Sequence, residues 1–156
     1  MAKLTLFIPD ADDIWHVAQN MRPSDIAELH ATHGPGVDVH AVLRASVEAS
    51  QECWSAITTY GEPVALFGLA PVSLLSGLAC PWMLGTPTLE LYSRDVVVLG
   101  KRFAVEWGKQ YDQLFNFVDA RNLRSIAWLK NSGYNVFPSL PHGLNGERFH
   151  RFERCA

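Results

Sequence analysis

Two residues at the start of a long, apolar-striped segment have the chemistry to bind a phosphate group. Ser93 and Arg94 begin a stretch, residues 93–111, whose apolar side chains recur at helical spacing. Free N–H groups and the positive end of a helix attract an anion there, and a hydroxyl and a guanidinium add further donors. Pro87 removes one backbone donor from the preceding loop, and Glu90 adds an opposing negative charge. The alternative is that Ser93 only caps the helix and Arg94 is a solvated surface charge.

Three histidines lie close together in the sequence, but without the partners of a metal site. His30, His33 and His40 have no nearby set of Asp, Glu or Cys at zinc-ligand spacing. We therefore predict surface histidines and no metal. An odd number of cysteines without a CxxC pair argues against a disulfide framework and indicates a reducing, cytoplasmic compartment. These cysteines are Cys53, Cys80 and Cys155.

The composition is that of a single globular domain spanning residues 1–156. Hydrophobic residues make up 48% and charged residues 19%, so the chain can bury a core and is not disordered. The net charge of −3 argues against a nucleic-acid binder, whose surface would be basic. The longest apolar stretch, 64–83, approaches the length of a membrane span, but Pro71, Gly77 and Pro81 interrupt it. We therefore expect two strands joined by a turn here, and no membrane span.

Hydrophobic periodicity divides the chain into blocks of helices and strands. An initial strand is followed by two or three helices, and then by three strands that turn residues join as antiparallel neighbours. A long helix, a strand that is apolar on both faces, a short helix and two closing strands complete the order. The predicted strands are 4–8, 53–60, 63–69, 78–84, 113–118, 134–137 and 147–152, and the predicted helices are 10–20, 23–30, 38–51, 93–111 and one that starts at Asn122.

The last predicted strand carries charges of both signs. Three arginines in this segment alternate with glutamates, which is typical of an exposed edge strand and also fits a binding surface. The residues are Glu147, Arg148, Arg151, Glu153 and Arg154.

The segment 119–137 is predicted to form one β-α-β unit. Asn122 is a good N-cap, because its side-chain carbonyl can accept a free N–H of the first turn. Gly133 stands where a helix end favours a left-handed residue, and Tyr134 can then pack back on Leu129. The helical face expected to point inward consists of Leu123, Ile126 and Ala127.

This segment resembles a late motif of the GNAT acetyltransferase superfamily, in which Asn, a small residue, Tyr, Gly and an aromatic residue recur at fixed spacing. The matches are Asn122, Ser125, Gly133 and Tyr134, while Leu129 replaces the usual Tyr. The order of elements resembles the same superfamily over nearly the whole chain. A closer resemblance is to GNAT-like proteins of T7-type phages, a family named after an internal virion protein. It is carried by Trp-Leu-Lys at 128–130 and Trp-Met-Leu-Gly-Thr at 82–86.

The resemblance implies an α/β (α+β) fold of the acyl-CoA N-acyltransferase type. We expect a mixed central sheet of about six to seven strands with helices on both faces. In this family two middle strands splay apart and acyl-CoA lies in the gap, with its pyrophosphate at the start of the long helix. The resemblance thereby assigns acetyl-CoA contacts to Met83, Leu84, Gly85, Thr86, Ser93, Arg94, Asn122 and Ser125.

The general base and general acid of an acetyl transfer are harder to identify from the sequence than the cofactor contacts. Acetyl transfer to an amine requires a base for the amine proton and an acid for the leaving thiolate. The residue that usually supplies the acid in this family is replaced by Leu129, and the predicted strand 78–84 carries no acidic residue. Tyr134 and Cys80 remain as candidates, against the alternatives that Tyr134 packs at the helix stop and Cys80 is inert in a strand.

Two functions follow from the resemblance. The first is N-acetyl transfer from acetyl-CoA to an unknown amine or protein acceptor. The second is a non-catalytic, phage- or prophage-encoded factor on the same fold, which would act in virion morphogenesis or bind other phage proteins. The non-catalytic function predicts a degenerate cofactor loop and a residue other than Tyr at position 129, whereas acetyl transfer does not. The location is the cytoplasm, or the virion if the protein is phage-encoded, and a homodimer is compatible with either function.

Overall fold

The computed structural model describes residues 3–73 and 75–155, and it is built around one mixed sheet of eight strands. The order across the sheet is β1-β2-β3-β4-β5-β8-β6, and β7 pairs with β8 beside β6. Neighbouring strands are antiparallel except β4 and β5, which are parallel. The strands are β1 Thr5–Phe7, β2 Glu52–Ile57, β3 Pro63–Pro71, β4 Leu78–Gly85, β5 Gln113–Asp119, β6 Asn135–Val136, β7 Leu140–Pro141 and β8 Arg148–Cys155.

Five α-helices cover the two faces of this sheet. Asp10 and Asp38 cap the first and third helices by accepting backbone N–H groups, and Pro23 begins the second, where its missing donor costs nothing. No helix in the described part of the chain is long and apolar enough to cross a membrane. The helices are α1 Ala11–Gln19, α2 Pro23–His33, α3 Val39–Ala49, α4 Ser93–Gly108 and α5 Leu123–Asn131, with a 3-10 helix at Pro87–Tyr92 before α4.

The sheet separates the core into layers. On one face α1, α2 and α3 pack on side chains of β3 and β4, around Val17, Leu43 and Leu66. On the other face α4 and α5 pack on β3, β5 and β8, around Phe103 and Leu114. Side chains alternate between the two faces of a strand, so the central strands are apolar on both sides.

The predicted fold class and order of elements are confirmed, with corrections in the C-terminal third. The predicted strand 134–137 corresponds to β6, and the eighth strand of the sheet is β7, a two-residue strand too short to produce a periodic pattern. The last strand is not at an edge: β8 pairs with β5 on one side and with β6 and β7 on the other. Its Arg151 lies over the Phe115 ring and pairs with Glu153, which accounts for charges in an interior strand.

The inward face of α5 also differs from the prediction. Ile126 is buried as expected, but Leu123 is 74% exposed and Ala127 is exposed. The other buried side chain is Trp128, which packs under the Arg22 guanidinium. The inward side of α5 thus includes a contact with Arg22, the N-cap residue of α2, which is far away in sequence.

The stop of α5 has the predicted Schellman geometry. Gly133 has a φ of 99°, its N–H donates to Lys130 O, and the Tyr134 N–H donates to Leu129 O. Tyr134 and Leu129 then join the same apolar cluster.

Replacing Gly133 with alanine should lower the free energy of unfolding by about 1 kcal/mol, because a Cβ is strained at this positive φ. Gly108→Ala is the matched control, since Gly108 ends α4 at an ordinary φ with nothing within 4 Å of an added Cβ. Urea denaturation of both variants measures the difference. An equal effect of the two substitutions would contradict this account of the stop.

Candidate functional site

The two parallel strands at the centre of the sheet separate after a short contact. β4 and β5 pair only through Leu78 with Gln113 and Ala79 with Leu114. Beyond these positions β4 remains paired with β3 as far as Gly85, and β5 stays paired with β8, so a gap opens between them. One side chain crosses the gap: Asn116 Nδ2 donates to Pro81 O at 2.9 Å.

The gap leads into a cavity of about 450 Å³, which lies within the range of small-molecule sites. Its walls are mostly apolar and are contributed by α2 and α3 on one face of the sheet and by α4 and α5 on the other. A ligand threading the sheet would thus contact both faces. The polar lining includes Glu28, Asn116, Asn122, Ser125, Ser132 and Tyr134.

The eight residues assigned to the cofactor fall into three groups. Those that line the cavity are Met83, Leu84, Asn122 and Ser125. Gly85 and Thr86 are buried at the end of β4, where both N–H groups already have protein acceptors. The Gly85 N–H donates to Asp25 Oδ2, and the Thr86 N–H donates to the carbonyl of Val64, each at 2.9 Å. These two N–H groups are therefore not free to bind a pyrophosphate.

Ser93 and Arg94 lie at the start of α4, outside the lining of the cavity. The alternative that Ser93 caps α4 is wrong: Tyr92 holds the cap position, and the Ser93 hydroxyl donates to Glu90 O at 3.2 Å. The reason is the 3-10 helix, which runs directly into α4 and moves the cap by one residue. Arg94 is exposed.

Asn122 caps α5 as predicted and also reaches across to α2. Its Oδ1 accepts the Ser125 N–H at 3.2 Å, and its Nδ2 donates to Glu28 Oε1 at 3.3 Å. The same Glu28 oxygen accepts the Asp119 N–H at 2.9 Å. The start of α5 is thereby tied to a carboxyl group in the wall of the cavity.

Glu28 is the titratable residue that the sequence analysis did not single out. Burial raises the pKa of its carboxyl from the ordinary value of 4.5 to about 7, and repulsion from Asp25 and Asp119 adds to this, against the hydrogen bonds from Asp119 and Asn122. A group with this pKa can both accept and release a proton near neutral pH. The available signal was the i, i+3 spacing of Asp25 and Glu28, which places both carboxyl groups on one face of the predicted helix 23–30.

Arg22 and Asp25 form a buried ion pair beside Glu28. Arg22 Nε and Nη2 donate to the two carboxylate oxygens of Asp25 at 3.0 and 2.7 Å, and Nη2 also donates to Ser125 Oγ at 2.9 Å. The Arg22 N–H donates to Gly85 O at 2.8 Å. This pair connects the start of α2, the end of β4 and the first turn of α5, which are the elements that surround the gap.

The two candidates for proton transfer have different surroundings. Tyr134 lines the cavity in edge contact with Phe152, and burial raises its pKa to about 12, so the phenol stays protonated at neutral pH. Cys80 lies in a groove between α3 and β4. Burial raises the pKa of its thiol, which the charge of Arg151 only partly offsets, and a protonated thiol is a poor nucleophile.

Glu28 should make stability depend on pH. Between pH 4.5 and 7 the folded chain keeps a proton that the unfolded chain releases, so this group's contribution to the free energy of unfolding falls as pH rises. The full fall is on the order of 3 kcal/mol. In Glu28→Gln it should be absent, so the stability of wild type minus that of the variant should decline from pH 4.5 to 7 in urea titrations. Parallel pH curves for the two proteins would contradict the raised pKa.

Comparison with solved structures defines the fold. The chain is similar to spermidine N-acetyltransferase from Vibrio cholerae in complex with CoA and spermine, with a TM-score of 0.68 and 11% identity over 98% of this chain and 95% of that one. It is also similar to the GNAT superfamily phosphinothricin acetyltransferase from Sinorhizobium meliloti in complex with acetyl-CoA, with a TM-score of 0.66 and 14% identity over 98% and 88%. For the microcin C7 self-immunity acetyltransferase MccE in complex with acetyl-CoA and AMP, the TM-score is 0.72 and the identity 11% over 99% and 93%.

These likenesses show that the chain has the fold of the GNAT acyl-CoA N-acyltransferases. The sequence itself matches no protein-family profile and no curated protein. At such low identity the shared property is the architecture, and a shared fold does not fix the function.

Proposed function

We propose that the protein transfers an acetyl group from acetyl-CoA to an amine. The observation that supports this most is the separation of β4 and β5 after two paired positions, which opens the 450 Å³ cavity through the sheet. Three proteins that share this fold have been crystallised with CoA or acetyl-CoA. The backbones of the two strands do not pair with each other beyond Ala79 and Leu114, and Pro81 O is taken by the Asn116 side chain, which leaves other backbone groups for the amides of a pantetheine arm.

The cofactor side of the proposed site is formed by β4 and the first turn of α5. Met83 and Leu84 would line the path of the pantetheine arm, and Asn122 and Ser125 would flank it from α5. Asn122 is held in place by its cap bond and by Glu28, so its position does not depend on the ligand. The acetyl group would lie in the gap, where the cavity communicates with the α2 face.

Glu28 is the group placed to accept the proton of the acceptor amine. Its Oε1 holds both hydrogen bonds from Asp119 and Asn122, which leaves Oε2 for an amine on the α2 side. With acetyl-CoA bound, the amine nitrogen would attack the thioester carbon, Glu28 would take up the amine proton, and the carbon–sulfur bond would break to release the CoA thiolate. Tyr134, a protonated phenol in the same cavity, would return a proton to that thiolate.

Thermal melting with acetyl-CoA tests the cofactor directly. At about 100 times its dissociation constant, a ligand specific for the folded state adds roughly 2.7 kcal/mol of stability. We expect a clear rise in melting temperature with acetyl-CoA and a smaller one with pantetheine, which lacks the phosphates. Release of free CoA thiol with a panel of amines then measures turnover. No shift at millimolar acetyl-CoA would contradict the proposal.

The second candidate is a non-catalytic factor on the same fold, encoded by a phage or prophage. Three features favour it: the N–H groups of Gly85 and Thr86 are already bonded, Glu90 places a carboxylate near the loop, and Leu129 stands where the family usually has Tyr. Detection of the protein in purified virions, together with no response to acetyl-CoA, would favour this function over acetyl transfer. Turnover of acetyl-CoA would exclude it.

A further inference from the structure

The guanidinium group of Arg22 is buried near the end of β4, and one of its donor nitrogens makes no hydrogen bond. Arg22 is 1% exposed, and its Nη1 has no hydrogen-bond acceptor within residues 3–73 and 75–155. The other two nitrogens are satisfied by Asp25 and Ser125. A buried charged donor without a hydrogen-bond acceptor is costly, so an anion placed closer to this nitrogen would be stabilising.

The nearest anion to this nitrogen is the carboxylate of Glu90. Glu90 Oε2 lies 3.5 Å from Arg22 Nη1 and 3.4 Å from Arg124 Nε, and neither contact is a hydrogen bond. The side chain of Glu90 is 36% exposed and that of Arg124 is 51% exposed. One carboxylate oxygen is therefore shared by two arginines at long distance, and it lies on the solvent side of the buried one.

We propose that Arg22 and Arg124 form a phosphate-binding site, which the carboxylate of Glu90 occupies in the absence of ligand. Guanidinium groups bind phosphate through paired N–H donors, and a phosphate offers more oxygens than the single one that Glu90 presents. The side chain of Glu90, in the 3-10 helix Pro87–Tyr92, is 36% exposed, so it can turn to solvent when a phosphate enters.

The charges of the site explain why Glu90 competes with the ligand. Asp25 already balances Arg22 through a bidentate contact, and Glu90 balances Arg124. A phosphate would meet a site without net charge until Glu90 leaves it. The side chains of Arg22 and Arg124 would then bind the phosphate in place of the backbone N–H groups of Gly85 and Thr86. Those N–H groups already donate to acceptors within the protein. With the proposed function, on which this step rests, the phosphate is that of the CoA pyrophosphate.

The test is the affinity for inorganic pyrophosphate, CoA and pantetheine, measured by isothermal titration calorimetry. Glu90→Gln removes the competing charge, and it should tighten pyrophosphate and CoA binding by roughly fivefold, the effect of one partly exposed ion pair. Arg124→Gln should weaken both by a similar factor. Pantetheine, which has no phosphate, should bind all variants equally. Glu106→Gln and Arg102→Gln are the matched controls, because they break an exposed pair on α4 with the same charge changes.

The double variant Glu90→Gln/Arg124→Gln isolates Arg22. If Arg22 takes part, removing Glu90 should still tighten pyrophosphate binding in the Arg124→Gln background. Loss of that effect would overturn the role of Arg22. Unchanged pyrophosphate affinity in both single variants, or changes equal to those of the controls, would overturn the whole site.

Pyrophosphate binding that follows Glu90 and Arg124 without any binding of acetyl-CoA would support the site and contradict the proposed function. Acetyl-CoA binding with turnover, but without dependence on Glu90 and Arg124, would support the function and overturn the site. The two proposals therefore fail independently.

Discussion

Replacement of Arg22 with methionine is expected to lower the free energy of unfolding by about 3–5 kcal/mol, because it leaves the carboxylate of Asp25 buried without its partner. Asp25 would keep only the Gly85 N–H as a donor. The ion pair is buried on both sides and also holds the start of α5 through Ser125. Urea denaturation followed by circular dichroism measures the loss.

Two further variants show whether the unpaired charge is the cause. Arg102→Met breaks an exposed ion pair with Glu106 and should change stability by less than about 1 kcal/mol. In Arg22→Met/Asp25→Asn the buried charge is absent, so part of the lost stability should return. A loss below about 1 kcal/mol in the single variant, or no recovery in the double variant, would show that burial of this charge is not what holds the site together.

Glu28→Gln is expected to lower kcat for acetyl transfer by about 10²–10⁴-fold, the usual contribution of a general base. The amide has the same shape and still accepts the N–H groups of Asp119 and Asn122, so the fold and the cofactor affinity should be retained. The measurement is release of free CoA thiol with the best amine of the panel. It is made together with acetyl-CoA affinity, which separates an effect on chemistry from one on binding.

The pH profile gives the more specific readout of this role. Because burial raises the pKa of Glu28 to about 7, wild-type kcat/KM should rise with pH through that value as the carboxylate forms. Glu28→Gln should lack this limb. Glu48→Gln, on the exposed side of α3, is the control and should leave both rate and profile unchanged. A wild-type profile in Glu28→Gln would eliminate Glu28 as the base.

Those parts of the fold that depend on short-range chemistry could be predicted from residue type and spacing. Asp10 and Asn122 accept N–H groups within the first turn of their own helices, and Gly133 ends α5 through bonds to residues of the same helix. These interactions span a few residues, so residue type and spacing are enough to predict them. The order of strands and helices, and through it the fold class, followed from the same local periodicity.

The long-range contacts that complete the candidate site, and the chemistry of Glu28, arise only from the tertiary structure. Arg22 meets Ser125, and Glu28 meets Asn122, across 103 and 94 residues of chain, and no local pattern encodes such pairings. Local patterns also do not encode the interior position of β8 in the sheet. Nor do they encode which side of α5, the one that carries Trp128, faces inward. Whether a carboxyl group is an ordinary surface charge or one with a pKa near 7 depends on how much water its neighbours exclude, and those neighbours are brought together only by folding.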